Sequence, residues 1–161
     1  MTEQLTFLEN WPGQIALIIQ VIVAMVLGAA LGIEREFAGK PAGFRTQMLV
    51  AGAAALLVGL ARVLVSQFGD TFTGELIRSD PIRVMQAIVV GVSFLGAGTI
   101  FRRPTGETIE GLTTAATVLL AAALGIACAL NQFIVAIGVT AIALIVLRVL
   151  TLAERGQRRE K

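Results

Sequence analysis

The stretch GQIALIIQVIVAMVLGAALGI, residues 13–33, decides the fold: it is 21 residues long and carries no charge. A helix needs about 17–25 mostly apolar residues to cross the hydrocarbon core of a bilayer. The run follows an acidic N-terminus, and neither a basic leader nor a cleavage site precedes the next apolar segments, so it reads as a retained span and not as a signal peptide. Four further runs of comparable length, 46–68, 84–101, 112–130 and 133–150, make five expected transmembrane helices. Residues 153–161 are left as a basic tail.

Composition agrees. Of 161 residues, 56% are hydrophobic and 15% charged, with a mean hydropathy of +0.83; a soluble domain has about 45–50% apolar and 25% charged residues. There is no histidine, and the one cysteine, Cys128, lies inside an apolar run. This removes a disulfide framework and a Cys/His metal cluster. A formal net charge of +2 gives no reason to expect nucleic acid as a partner. With no catalytic constellation in the spans, neither an enzyme nor a cofactor is expected.

The distribution of basic residues sets the expected orientation. Arg35, Lys40 and Arg45 lie in the first connection, Arg102 and Arg103 in the third, and Arg148, Arg155, Arg158, Arg159 and Lys161 near the C-terminus; the second connection holds only Arg78 and Arg83. The positive-inside rule then places the N-terminus outside and the C-terminus in the cytoplasm. Arg62 lies sixteen residues beyond Thr46, roughly 24 Å along a helix. It is expected at the outer interface, either snorkelling to headgroups or paired with Asp70 or Asp80.

Small residues recur where helices can meet. Gly28 and Gly32 form a GxxxG, and Ala51/Ala55/Gly59 and Ala121/Gly125/Ala129 continue the spacing on two other spans. Gly28, Gly32, Gly96, Gly98 and Gly111 are the expected packing glycines. A shift of 68 residues lays Leu27-Gly28-Ala29 on Leu95-Gly96-Ala97, Gly43 on Gly111, Thr46 on Thr114 and Ala53-Ala54-Ala55-Leu56 on Ala121-Ala122-Ala123-Leu124 without a gap. The expected fold is therefore an all-α membrane protein, a five-helix bundle in which helices one and two repeat as helices three and four about an axis along the membrane normal.

Polar residues gather at the inner ends of the first four helices. Gly32-Ile33-Glu34-Arg35-Glu36 closes the first and Gly43-Phe44-Arg45-Thr46 opens the second; Gly111-Leu112-Thr113-Thr114-Ala115-Ala116 opens the fourth. Thr46 and Thr113 suit N-caps, and Glu34 is placed to pair with Arg45. The candidate ligand or ion-pair site is Glu34, Arg35, Arg45, Arg102, Thr113 and Thr114. Two readings stand: an ion pair that locks a loop, or a small polar site facing the cytoplasm. Gly39-Lys40-Pro41-Ala42-Gly43 lacks the spacing of a phosphate loop.

These motifs, with Lys40-Pro41-Ala42-Gly43-Phe44-Arg45-Thr46 and Phe94-Leu95-Gly96-Ala97-Gly98, resemble in their order the MgtC/SapB family of bacterial inner-membrane proteins. The resemblance covers about residues 23–125, and Gln47 and Val118 stand where the family frequently has His and Trp. It implies a protein of the bacterial cytoplasmic membrane tied to growth at low magnesium, with virulence roles in pathogens and action on the proton-translocating ATP synthase in one member. The virulence-associated members continue into a soluble ACT-like domain, whereas this chain is expected to hold the transmembrane domain only. The expected partners are the lipid bilayer, another membrane complex such as the ATP synthase, and a second copy of the chain. Two functions compete: a regulatory or interaction protein, and a transporter or channel for a small ion or solute. Every acidic residue lies at or beyond a helix end, which weighs against a magnesium pathway lined by carboxylates.

Overall fold

The computed structural model describes residues 11–68, 81–102 and 109–157. It is a bundle of five helices, α1 (Trp11–Phe37), α2 (Phe44–Phe68), α3 (Pro81–Ala97), α4 (Leu112–Ala129) and α5 (Phe133–Gln157), with a two-stranded hairpin of β1 (Phe101–Arg102) and β2 (Ile109–Glu110) between α3 and α4. Among the described residues, three helices are long and apolar enough to cross a membrane: α1, α2 over Phe44–Val65, and α4. Shorter apolar helices cover Ile82–Ala97 and Phe133–Val149.

The helices α1, α2 and α4 form a mutually packed centre, with α3 laid against α2 and α4 and α5 against α1 and α4. The core is made of small residues, with Ala51, Ala55, Ala121, Cys128 and Ala129 fully buried and Leu31 and Leu124 as its largest apolar side chains. Backbones approach closely because nothing larger intervenes. A Cβ on Gly28 would sit 2.6 Å from the Gln47 carbonyl oxygen, one on Gly32 would strike the Phe44 backbone, and one on Gly125 the Ala51 carbonyl oxygen. All three stripes of small residues read from the sequence face inward at helix crossings. Large apolar side chains point out instead: Val90, Phe94 and Ile134 are 70–89% exposed. Such an exterior suits hydrocarbon, where van der Waals fit and not hydrophobic burial holds helices together.

The connections use the turns their residues dictate. After α1 the chain closes a Schellman turn, with Gly39 at φ 65 and bonds from Gly39 N to Glu36 O and from Lys40 N to Arg35 O, each 3.0 Å; Pro41 then bars further helix. Asn131 does the same after α4, at φ 59, with Asn131 N bonding Cys128 O and Gln132 N bonding Ala127 O. Arg62 Nη1 donates to Ala129 O at 2.7 Å, closing the carbonyl end of α4. Asp70 and Asp80 lie outside the described residues.

Several boundaries differ from those read from hydropathy. The first helix continues past Ile33 to Phe37 and the last past Leu150 to Gln157, because helical hydrogen bonding does not stop where apolarity does. Conversely, α3 ends at Ala97, and Phe101, read as the end of a span, pairs with Glu110 in the hairpin. Thr46 and Thr113 are not caps. Gly111, at φ 92, occupies the N-cap of α4 with no side-chain cap, and its position leaves no room for a Cβ against Thr99 O.

Candidate functional site

Where α1, α2 and α4 meet at the Arg35 end, their buried faces change from alanine to polar side chains. On α1 the buried residues Gly28, Leu31, Gly32 and Arg35 follow helical spacing, so the stripe that packs the helix also carries a guanidinium inward. Arg35 is 4% exposed, and its Nη2 donates to Thr114 Oγ1 at 2.7 Å. Thr117 Oγ1 donates to Thr114 O at 2.9 Å and accepts from Gln47 Nε2 at 3.0 Å. Arg35, Thr114, Thr117 and Gln47 thus form one polar seam joining all three central helices. Gln47 is fully buried; its Nε2 also approaches Ala42 O at 3.5 Å, while its Oε1 accepts no hydrogen bond.

Only part of the expected site is gathered there. Arg35 and Thr114 are joined, and Glu34 is half-buried on the same turn of α1. Arg45 turns outward: it is exposed, with its guanidinium carbon 5.8 Å from the centre of the Phe44 ring. A carboxylate reaches the start of α2 from Glu36, whose Oε2 accepts from Phe44 N at 3.2 Å. Two residues along a helix is about 200° of rotation, so the carboxylates of Glu34 and Glu36 face opposite ways. Arg102 in β1 and Thr113 in the first turn of α4 are both exposed. Of the expected packing glycines, Gly96 is buried against Ala115, whereas Gly98 lies exposed in the turn after α3 and Gly111 serves the turn before α4.

Gln47 and Thr117 were not among the expected site residues, yet a signal for them exists. Gln47 lies four residues before Ala51 in the stripe 51/55/59, and Thr117 four before Ala121 in the stripe 121/125/129. Extending each small-residue stripe by one turn finds the two side chains that bond each other.

The seam makes a stability prediction. Thr117→Val leaves Gln47 Nε2 with only the long contact to Ala42 O, and a buried donor without a partner costs about 1–3 kcal/mol. Gln47→Met removes that donor together with the unsatisfied Oε1 and should cost less. Thermal unfolding of the two variants in detergent checks the order; a larger loss for Gln47→Met would contradict it.

Residues 21–156 match the MgtC family. Protein MgtC of Salmonella typhimurium is 39% identical over 79% of this chain and 49% of its own length. The protein named "Putative magnesium transporter YhiD" of Escherichia coli K12 is 36% identical over 82% of this chain and 59% of its own. An uncharacterized protein of Haemophilus influenzae is 33% identical over 97% of this chain and 64% of its own. The chain therefore spans about half to just under two thirds of the length of these relatives. No solved structure matches it.

Proposed function

The chain belongs to the MgtC family, and we propose that it is a bacterial inner-membrane protein of magnesium homeostasis which regulates another membrane complex and does not itself carry magnesium. The observation that supports this is the burial of Arg35 between α1 and α4, with its guanidinium held by Thr114. A fixed positive charge opposes a cation about 4 Å away by about 4 kcal/mol per unit charge at an effective dielectric near 20, and a divalent ion doubles that. Glu34, one residue away and half-buried, offsets part of the field but does not supply a carboxylate-lined path. The partner implied by the family resemblance is the proton-translocating ATP synthase, and a second copy of the chain is the other partner to test. ATP-driven acidification of inverted membrane vesicles, with and without this chain, tests the proposal: lower pumping is expected with it, and equal pumping at equal ATP synthase content would refute the partner.

A second reading, favoured by the magnesium transport in the name of YhiD, is a small-ion or solute carrier. Its site would be the polar end of the bundle, with Glu34, Arg35, Arg45, Arg102, Thr113 and Thr114 lining or flanking the path.

The orientation belongs to the same proposal, with the N-terminus outside and the Arg35 end and the C-terminus in the cytoplasm, supported by the basic residues on that side. In a Cys128→Ala background, Gln132→Cys is expected to react with an impermeant thiol reagent in intact spheroplasts and Gln157→Cys only after permeabilisation. Labelling of position 157 in sealed spheroplasts would reverse the orientation.

The parallel repeat is likewise proposed. Gly28 packs on Gln47, and 68 residues further along Gly96 packs on Ala115, more loosely, since a Cβ on Gly96 would stand 3.5 Å from the Ala115 Cβ. These paired contacts support a common origin for the two helix pairs.

A further inference from the structure

Two depressions lie on one face of the α1–α2 pair. The first, about 420 Å³, is polar and is lined by Glu36, Lys40, Gly43, Arg45 and Thr46. The second, about 470 Å³, is apolar, with Ile22, Met25, Ala29, Ile33 and Met48 in its walls. Ile22, Met25, Ala29, Ile33 and Glu36 follow one another at intervals of three or four residues, and so do Arg45 and Met48, so each helix presents its apolar and polar wall residues on the same face. The polar depression thus lies one helical turn beyond the Ile33 end of the apolar one.

Charge and length point to one occupant. The cavity is lined by two cations and one carboxylate, and that carboxylate already accepts the Phe44 N–H. Gly43 keeps the approach open, since a Cβ there would come within 2.8 Å of Glu36 Oε2. From Ile22 to Glu36 the two depressions together span about 21 Å at the helical rise, somewhat more than half of a hydrocarbon core about 30 Å thick. That is the reach of one leaflet's acyl chain with its headgroup at the polar end. We propose that cavity and groove together bind one anionic phospholipid, its phosphate on Lys40 and Arg45 and an acyl chain along Ile33, Ala29 and Ile22. A free phosphate would use the cavity alone and has no need of the groove. This inference requires only that the chain spans a membrane, and it stands apart from the regulatory reading.

The test is the melting temperature of the protein in neutral detergent with added phosphatidylglycerol, phosphatidylcholine or inorganic phosphate. Each basic side chain near the headgroups favours anionic lipid severalfold, and Glu36 offsets part of this. Half-maximal stabilisation by phosphatidylglycerol is therefore expected at about tenfold lower mole fraction than by phosphatidylcholine. Inorganic phosphate should give no comparable shift. The double variant Lys40→Gln/Arg45→Gln changes two exposed side chains and, with each lipid response read against its own lipid-free melting temperature, should lose the tenfold preference. Equal responses to the two lipids, a double variant that keeps the preference, or a phosphate response equal to that of phosphatidylglycerol would overturn the proposal. Native mass spectrometry of the wild-type chain from equimolar mixed micelles asks the question without a variant. Preferential retention of phosphatidylglycerol is expected, and equal retention of both lipids would overturn it.

Discussion

Gly125→Val will disrupt the centre of the bundle. A Cβ at this position runs into the Ala51 carbonyl oxygen and lies 2.9 Å from the Ala54 Cβ, where α2 and α4 cross. Overpacking usually costs about 1–3 kcal/mol because side chains can shift, and more where they cannot; here the obstacle is a backbone carbonyl in a helix packed on both sides. The loss should therefore exceed about 3 kcal/mol and appear as a collapse of the melting temperature with loss of a monodisperse peak in detergent. Gly138, which has open space around it, supplies the control. There, Gly138→Ala should leave stability unchanged or raise it by up to about 1 kcal/mol, since glycine in a helix interior is the poorer residue. Similar melting temperatures for Gly125→Val and Gly138→Ala would mean that the α2–α4 crossing is not as close as the structure has it.

The second large effect is expected at Arg35. Arg35→Met keeps an apolar stem of similar length but removes the donor to Thr114 Oγ1. A hydrogen bond to a charged group contributes about 1.5–3 kcal/mol, and the hydroxyl left behind is buried. Replacing both partners, in Arg35→Met/Thr114→Val, should recover part of that stability, because two apolar groups of similar shape then stand where the Arg35–Thr114 bond was. Growth at low magnesium of a strain lacking the protein then separates structure from function. If the guanidinium is functional, the double variant will be stable yet inactive, and Arg35→Lys, which keeps the charge but not the planar fork, will be intermediate. Recovery of growth together with stability in the double variant would make Arg35 a structural tether only.

Much of the architecture is legible in the sequence because membrane helices announce themselves by length and apolarity. The runs behind α1, α2 and α4 do so without ambiguity, and their small-residue stripes identify the faces that pack. Gly39-Lys40-Pro41 and Asn131 likewise mark turns that the backbone then makes, since glycine and asparagine accept the left-handed conformation that ends a helix. The site was legible only in part. Hydropathy ends the first span at Ile33 and so reads Glu34 to Arg45 as loop, where every charge is available to every other. The helix in fact continues to Phe37, and its rotation decides which charges go inward: Arg35 follows Gly28 and Gly32 into the core, Glu36 reaches over to α2, and Arg45 is left outside. Gln47 and Thr117 escaped notice because polar residues in an apolar run look like interruptions. In three dimensions they are the last rung of the two stripes that hold α2 to α4. Phe101 shows the opposite error: its apolarity extended a span that the chain ends at Ala97 to make room for the hairpin.

The claim that a closed, cationic seam governs this protein's role is tested most directly by magnesium flux. The purified chain would be reconstituted into sealed liposomes loaded with a magnesium-sensitive dye, and an inward magnesium gradient applied with the membrane potential clamped. The expected result is uptake no faster than in protein-free liposomes, and unchanged in the stable Arg35→Met/Thr114→Val variant. Saturable uptake that requires the wild-type chain would contradict the regulatory reading and establish the carrier in its place.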